Sequence, residues 1–495
     1  MSGTERAARP CPVREAAAHH PEREALIARD RTFTWRDADA CVTDWSGRLV
    51  ALGVEKGDRV MLRSHNRPEL LWVHWAAARL GAWVVPLNAR LRDAEVQPLI
   101  DRIRPRVLLV ESARPAPDTA FTWDAAVRTV AFEEVPAGAP PPAQHWDWEA
   151  PLVGLFTSGT TGRPKLVVHG ARQFEAASHA SAERIGGGEA PVWLGTLPLF
   201  HVGGLAMAFR VLFGRGTLVL ASRFDAAWAN EAMDRHRVTH ASFVATTLHR
   251  LLEVRGNHPF DPATQAALIG GGPVASELLG RARALGLPCL QTYGMTEACS
   301  QLTTEVLEDA DGTTAGVPLP GTSVRIVDSD GRQVEPGTEG SIEVRGPTLF
   351  SGYFEDPKAT SEAWREGWFR TGDLGVLDAE GRLRVLSRRT DLIVRGGENV
   401  YPAEIERLIA THPDVEETAV VGIHDPEWGQ VPVALVVLRR KVTMEALAAF
   451  VEPRLARFKR PSRWVVVEAL PRNAMGKVER ARLRELITAS PASVG

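Results

Sequence analysis

The sequence predicts an α/β protein: a large, multi-subdomain N-terminal domain built on mainly parallel sheets, followed by a small α+β C-terminal domain. Three observations carry that expectation. Through the first half, segments of helical periodicity alternate with short continuous apolar runs, as strands covered on both faces require. From Ser341 onward the texture changes to short alternating strands divided by glycine-containing turns. At 495 residues, moreover, the chain is too long for one compact core, so two or three domains are expected.

The elements follow in order. Val42, Trp45, Leu49 and Leu52 recur at helical spacing, and Gly53 follows as a C-terminal stop. Lys56-Gly57-Asp58 turns the chain into the apolar run Val60-Met61-Leu62. Pro68-Glu69 opens a second helix that ends near Gly81. Ala82 to Val85 and Val107 to Val110 read as buried strands. The stretch from Pro136 to Pro151, rich in Pro and Ala, reads as a surface connection with only weak structure of its own. Ser341 to Val344 and Arg382 to Val385 are short strands. A compact α+β pattern then begins: helix Ala403 to Thr411, strands Glu417 to Gly422 and Val433 to Leu438, helix Met444 to Leu455, and strand Trp464 to Val467. The boundary falls at Arg388 to Asp391, which divides the chain into 1–389 and a C-terminal domain, 390–495, of about 100 residues. No internal repeat is present.

Composition excludes several function classes. Lys+Arg total 58 against 61 Asp+Glu, a formal charge of −3, whereas nucleic-acid binding needs an excess of basic surface. The N-terminus MSGTERAARP lacks the apolar core of a signal peptide. Leu70 to Leu87, the most apolar long stretch, is interrupted by His74, Arg79, Gly81 and Pro86, and is a poor membrane span. Four cysteines with no CxxC pair and no metal spacing fit a reducing compartment. The expectation is a cytoplasmic enzyme with no stable membrane insertion, and a homo-oligomer is compatible with it.

The sharpest local signal is Thr157-Ser158-Gly159-Thr160-Thr161-Gly162-Arg163-Pro164-Lys165, directly after the apolar run Leu152 to Phe156. A strand followed by hydroxyls, glycines and a lysine suits phosphate: glycines let backbone N–H groups approach an anion, and hydroxyls add donors. A flexible surface loop has a similar composition. The pattern is not a Walker A loop, which needs GxxxxGK followed by Ser or Thr and a helix. Here Pro164 separates Gly162 from Lys165, and Leu166 follows the lysine.

These nine residues resemble the signature loop of the adenylate-forming superfamily, which includes acyl-CoA ligases, luciferases and the adenylation domains of peptide synthetases. Further segments agree in order and spacing: Gln291-Thr292-Tyr293-Gly294-Met295-Thr296-Glu297, Tyr353, Thr371-Gly372-Asp373, Arg388-Arg389-Thr390-Asp391, Gly396-Gly397-Glu398-Asn399, and Pro471 through Gly476-Lys477. The N-terminal 150 residues, with Thr32-Phe33-Thr34-Trp35 and Val85-Pro86-Leu87-Asn88, resemble the family as well.

The resemblance implies an acid–thiol ligase that adenylates a carboxylic acid with ATP and passes the acyl group to coenzyme A. A carboxylate is a poor nucleophile toward ATP, so positive charge, metal and oriented donors are needed around the α-phosphate. By resemblance, Thr157 to Gly162 hold the β- and γ-phosphates, and Thr296 donates to the α-phosphate. Glu297 would bind Mg²⁺, which takes carboxylate and phosphate oxygens. Tyr293, one of only 3 tyrosines, would stack on adenine. Asp373 would accept from the ribose hydroxyls, and Arg388 would donate to the same region. Taken singly, Asp373 reads as a turn residue and Arg388 as half of a surface salt bridge. Lys477 supplies a cation bridging the α-phosphate and the attacking carboxylate; Lys165 matches the loop's terminal lysine, which orders the loop or takes part in the chemistry. Thr390 matches the hinge on which the C-terminal domain turns, where many relatives carry Asp or Lys. Gly396 and Gly397 would approach the pantetheine tunnel.

Pro198-Leu199-Phe200-His201-Val202-Gly203-Gly204 matches the segment whose aromatic residue gates the acyl site. His201, a polar ring, suits an aryl or polar acid better than an alkyl tail; a core histidine with satisfied partners is the other reading. Gly270-Gly271-Gly272-Pro273 would form one wall, with Ser300 nearby. QTYGMTEACSQ, ending at Gln301, and RRTDLIVRGGENVYPAEIE resemble most the family of o-succinylbenzoate–CoA ligases of menaquinone biosynthesis. A benzoate–CoA ligase or other aryl-CoA ligase of the same fold is the alternative. The residues after Lys477 carry no carrier-protein pattern, so a peptide-synthetase module is not expected. A P-loop NTPase is disfavoured by the missing Walker A pair, and a non-catalytic nucleotide-binding protein by the retention of Glu297, Asp373 and Lys477 together.

Overall fold

A computed structural model describes residues 8–111, 127–141, 145–158, 164–187, 190–271, 274, 276–387, 393–400, 402–471, 478 and 480–489. The chain forms two compact units. The first comprises Met1–Ala89, Ile100–Thr157 and Leu166–Ser387; the second comprises Arg90–Leu99, Ser158–Lys165 and Arg388–Gly495.

Two large sheets build the first unit. One has the strand order Gly352–Tyr353, Pro164–Gly170, Pro151–Ser158, Trp83–Leu87, Arg59–Arg63, Val107–Val110, Arg128–Ala131. The pairings from Pro151–Ser158 through Arg128–Ala131 are parallel. Trp83–Leu87 is buried at all five positions, so both faces of the sheet are covered, as its unbroken apolar run predicts. The helix Trp35–Ala51 starts where the Thr34 side chain and Asp37 cap each other reciprocally, and Gly53, at φ +80°, turns the chain out of it. Helix Pro68–Arg79 carries its proline in the first turn, where no intrahelical N–H bond is lost.

The second sheet runs Val317–Pro318, Ser300–Thr304, Cys289–Met295, Ala266–Ile269, His240–Phe243, Val192–Gly195, Thr217–Leu220, Glu24–Ile27, Thr32–Thr34. Its middle pairings are parallel and its outer ones antiparallel. A third sheet, antiparallel, contains Ser323–Val327, Gly340–Arg345, Trp368–Leu377, Trp364–Arg365 and Leu383–Ser387. Burial alternates along Trp368–Leu377, with Phe369, Thr371 and Asp373 inward.

Three readings of the sequence change. Residues 136–151 do more than connect. His145–Asp147 is a strand that pairs with Ala8–Pro10, and Trp146 and Trp148 are core residues. Tyr293 lies on the strand Cys289–Met295, which reads in sequence as part of a loop. Asp373 lies within a strand, although Thr-Gly-Asp alone looks like a turn; Gly372 takes φ +79° there.

In the second unit the strand order is Glu398–Val400, Ile393–Arg395, Gly429–Leu438, Val415–Asp425, with Arg463–Val466 parallel to Gly429–Leu438. Helices Pro402–Ile409 and Met444–Val451 contribute Ile405, Ile409, Leu447 and Val451 to its core. Lys459 is buried there and donates to Glu95 and Glu404 at 3.0 and 2.8 Å, as a buried ammonium must. All four cysteines are free: Cys11, Cys289 and Cys299 are buried and Cys41 half-buried. Among the described residues no helix is long and apolar enough to cross a membrane.

Candidate active site

Two hydrogen-bonded pairs mark the candidate site in the first unit. The Tyr353 hydroxyl donates to Glu297 Oε1 at 2.9 Å, and the Tyr293 hydroxyl donates to Asp373 Oδ2 at 2.6 Å. All four side chains are buried. The partners lie 56 and 80 residues apart in sequence, so only the fold brings them together. Thr296–Ala298 forms a single 3₁₀ turn at the carboxyl end of the strand Cys289–Met295, where open α/β sheets bind ligands. It faces Tyr353, which pairs opposite Val167 on the strand that leaves the phosphate loop.

The turn is held under strain. Cys299 and Ser300 take φ +51° and +95°, a region that side chains other than glycine disfavour. The pairing of Cys289–Met295 with Ser300–Thr304 slips between Tyr293 and Gly294. A Cβ on Gly294 would lie 1.5 Å from the Ser300 carbonyl oxygen, so only glycine fits. Several bonds fix the arrangement: Phe350 N–H donates to the Glu297 carbonyl at 2.8 Å, and His169 Nε2 lies 2.7 Å from the Thr296 carbonyl oxygen. Burial pushes His169 down to about 4, so its ring is neutral.

Two polar groups are placed to meet a ligand. Thr157 Oγ1, at the end of its strand, is buried and makes no hydrogen bond among the described residues. Glu297 binds through Oε1 to Tyr353, and Oε2 takes no hydrogen bond from the described residues. No cluster of three or more metal-ligating side chains occurs among those residues. One carboxylate oxygen suits magnesium that takes its other ligands from phosphates and water, and an orphaned hydroxyl suits a phosphate.

The residues assigned to the acid lie on other elements of the same unit. His201 caps the helix Val202–Gly214, its ring centroid 4.7 Å from that of Phe200. Gly204 is needed where a Cβ would approach the Pro198 carbonyl. Gly270 follows the strand Ala266–Ile269, and Gly271 takes φ +87° against Val244. In the second unit Gly396 and Gly397 take φ +56° and +84°, and a Cβ at 396 would meet the Trp428 ring at 2.9 Å. The Gly396 position therefore has a local reason for glycine. Lys165 is half-buried at the start of the strand Pro164–Gly170. Gly159, Thr160, Thr161, Gly162, Gly272, Arg388, Thr390 and Lys477 lie outside the described residues.

Sequence reasoning missed Arg210. It is buried within the helix Val202–Gly214, stacks on Trp193 with 5.1 Å to the ring centroid, and donates to Gln301 Oε1 at 2.7 Å. Among the described residues no carboxylate pairs with it, its Nε has no partner, and burial lowers its pKa to about 10. The signal was present: one arginine interrupts an otherwise apolar helix, LAMAFRVLFG. His169 was also missed, because a lone histidine in a strand carries no signal of its own.

Residues 13–354 match the AMP-binding enzyme family, and residues 404–477 match the AMP-binding enzyme C-terminal domain. The chain belongs to the AMP-binding enzymes. Within that family it is 38% identical over 480 residues to the 2-succinylbenzoate–CoA ligase of Geobacillus kaustophilus, covering 96% of this chain and 97% of that protein. It superposes with TM-score 0.91 on o-succinylbenzoate CoA synthetase (MenE) of Bacillus subtilis, a double mutant bound with its product analogue OSB-NCoA. That match has 36% identity and covers 97% of this chain and 99% of the other. The same enzyme in complex with ATP and magnesium ion gives TM-score 0.74 at 35% identity, over 96% of this chain and 100% of the other.

Proposed function

We propose that this protein is an ATP-dependent, AMP-forming acid–CoA ligase whose acid is 2-succinylbenzoate. The observation that carries the substrate is Arg210: a buried guanidinium with no carboxylate partner among the described residues, on the helix that His201 caps. A fixed cation of this kind selects an acid that keeps a second carboxylate after the first is activated. 2-Succinylbenzoate has both, one on the succinyl arm and one on the ring.

In this reading the succinyl carboxylate attacks the α-phosphorus of ATP. A C–O–P bond forms, the bond to pyrophosphate breaks, and an acyl-adenylate results. The Thr296 hydroxyl and Lys477 ammonium stabilise the charge on the α-phosphate. Thr157 through Gly162, with Lys165, hold the β- and γ-phosphates, and Glu297 would hold magnesium, which supplies charge neutralisation on the triphosphate. Tyr293 stacks on adenine, while Asp373 and Arg388 receive the ribose. The thiol of coenzyme A then attacks the acyl carbon, loses its proton and expels AMP, reaching the site past Gly396 and Gly397. His201, Gly270, Gly271, Gly272 and Ser300 line the acyl pocket. The division into 1–389 and 390–495, with Thr390 as a hinge between the half-reactions, belongs to the same proposal. So does a cytoplasmic location, where ATP and reduced coenzyme A are both supplied.

The test is product analysis. Protein with Mg-ATP, 2-succinylbenzoate and coenzyme A is expected to yield AMP, pyrophosphate and an acyl thioester in equal amounts. ADP as product overturns the reaction class. A higher kcat/KM for benzoate or a fatty acid than for 2-succinylbenzoate overturns the substrate.

A further inference from the structure

His169 and Cys299 form a buried pair that the reaction just described does not use. His169 is fully buried on the strand Pro164–Gly170, a few residues beyond the phosphate loop. Its Nε2 lies 2.7 Å from the Thr296 carbonyl oxygen and its Nδ1 lies 3.2 Å from Cys299 Sγ. A carbonyl only accepts, so Nε2 carries the proton. In a neutral ring Nδ1 is then the acceptor, and the Cys299 thiol donates to it. The ring packs edge-on against Phe174 at 5.6 Å. A continuous relay results: thiol to imidazole to the backbone of the turn that carries Thr296 and Glu297.

We propose that His169, oriented by Cys299, is a positioning residue for adenylation: it holds the Thr296 carbonyl and thereby aims the Thr296 hydroxyl and the Glu297 carboxylate at the α-phosphate and its magnesium. The inference rests on the ligase reading above. Its physical basis is the backbone that follows. Cys299 and Ser300 hold left-handed angles, which persist only where the surroundings over-determine them. The Thr296 carbonyl also accepts from Cys299 N–H at 3.3 Å, a long bond that alone closes the turn weakly. The imidazole supplies the second and shorter bond. It links the turn to the strand leaving the phosphate loop, so the donors for the α-phosphate and those for the β- and γ-phosphates share one frame.

The experiment uses the full-length protein and single-turnover pyrophosphate release with Mg-ATP and 2-succinylbenzoate. His169→Phe keeps the ring packing and removes the donor; the release rate should fall about 10- to 100-fold, as when a group that orients a catalytic residue is lost. The KM for ATP should change by less than about 3-fold, because the loss lies in the transition state and not in ground-state binding. His169→Gln, whose amide N–H reaches the same carbonyl, should recover most of the rate. Cys299→Ala should lower it and Cys299→Ser restore it, since serine keeps a donor to Nδ1. Independently of turnover, ¹⁵N-histidine spectra of the wild type should show His169 protonated at Nε2 and bare at Nδ1. A proton on Nδ1, equal rates in wild type and His169→Phe, or equal losses in the Phe and Gln variants would each overturn the proposal while leaving an active ligase. A wild type that releases no pyrophosphate with any acid removes the ligase reading itself.

Discussion

Arg210 shows what a single residue adds beyond a motif. Removing a buried charge from a carboxylate that depends on it costs several kcal/mol, and lysine cannot replace a planar fork at such a site. Arg210→Met should therefore lower kcat/KM for 2-succinylbenzoate by about 30- to 1000-fold, with the KM for ATP nearly unchanged. Benzoate and other monocarboxylates should lose far less, and Arg210→Lys should remain impaired. Comparing kcat/KM across these acids checks the assignment; an equal loss for all acids would make Arg210 a packing residue. At this scale the sequence offers candidates where chemistry is written in residue type: hydroxyls and glycines at 157–162, a carboxylate at 297, another at 373. It was silent where a role depends on burial and a distant partner. Arg210 meets Gln301 across 91 residues, and His169 meets the Thr296 backbone across 127.

Among the elements, the helix Pro68–Arg79 carries a pH dependence. His74 is fully buried on it; Nδ1–H donates to the Leu70 carbonyl at 2.6 Å, and Nε2 has no partner among the described residues. Burial lowers its pKa to about 4 from an ordinary 6.5, outweighing the bond to Leu70, which acts in the opposite direction. Between those values the unfolded chain binds a proton that the folded chain does not. Stability is accordingly full above about pH 6.5 and falls as pH drops toward 4, by on the order of 3 kcal/mol for such a shift. His169 has the same direction and adds to it. His74→Leu should shrink the loss: denaturant midpoints at pH 7.5 and 4.5 should differ less in the variant than in the wild type. Identical pH differences in the two would show that His74 does not titrate in this way. The boundaries of this helix were legible from Pro68 and Gly81, as were the strands around residues 60, 84 and 108 from their apolar runs. The strand His145–Asp147 was not, because its partner is Ala8–Pro10 and a Pro- and Ala-rich composition hides two core tryptophans.

For the molecule as a whole, two half-reactions are proposed to share one set of substrates, with Lys477 as the residue proposed to separate them. A cation needed only while charge builds between carboxylate and α-phosphate contributes about 100- to 1000-fold. Lys477→Ala should slow pyrophosphate release by that factor, yet convert supplied acyl-adenylate to acyl-CoA near the wild-type rate. Equal slowing of both steps in single-turnover kinetics would remove the division of labour. The order of the motifs along the chain made the fold class legible; the internal sheet order of each unit was not, since strand neighbours such as 217–220 and 24–27 are far apart in sequence. A last consequence concerns the thiols. Exchange with a disulfide needs a thiolate that can be reached. Here three of the four cysteines are sealed in the core, and burial pushes the half-buried Cys41 up to about 11. An acid–CoA ligase thus presents little competing sulfur of its own beside the thiol of its co-substrate.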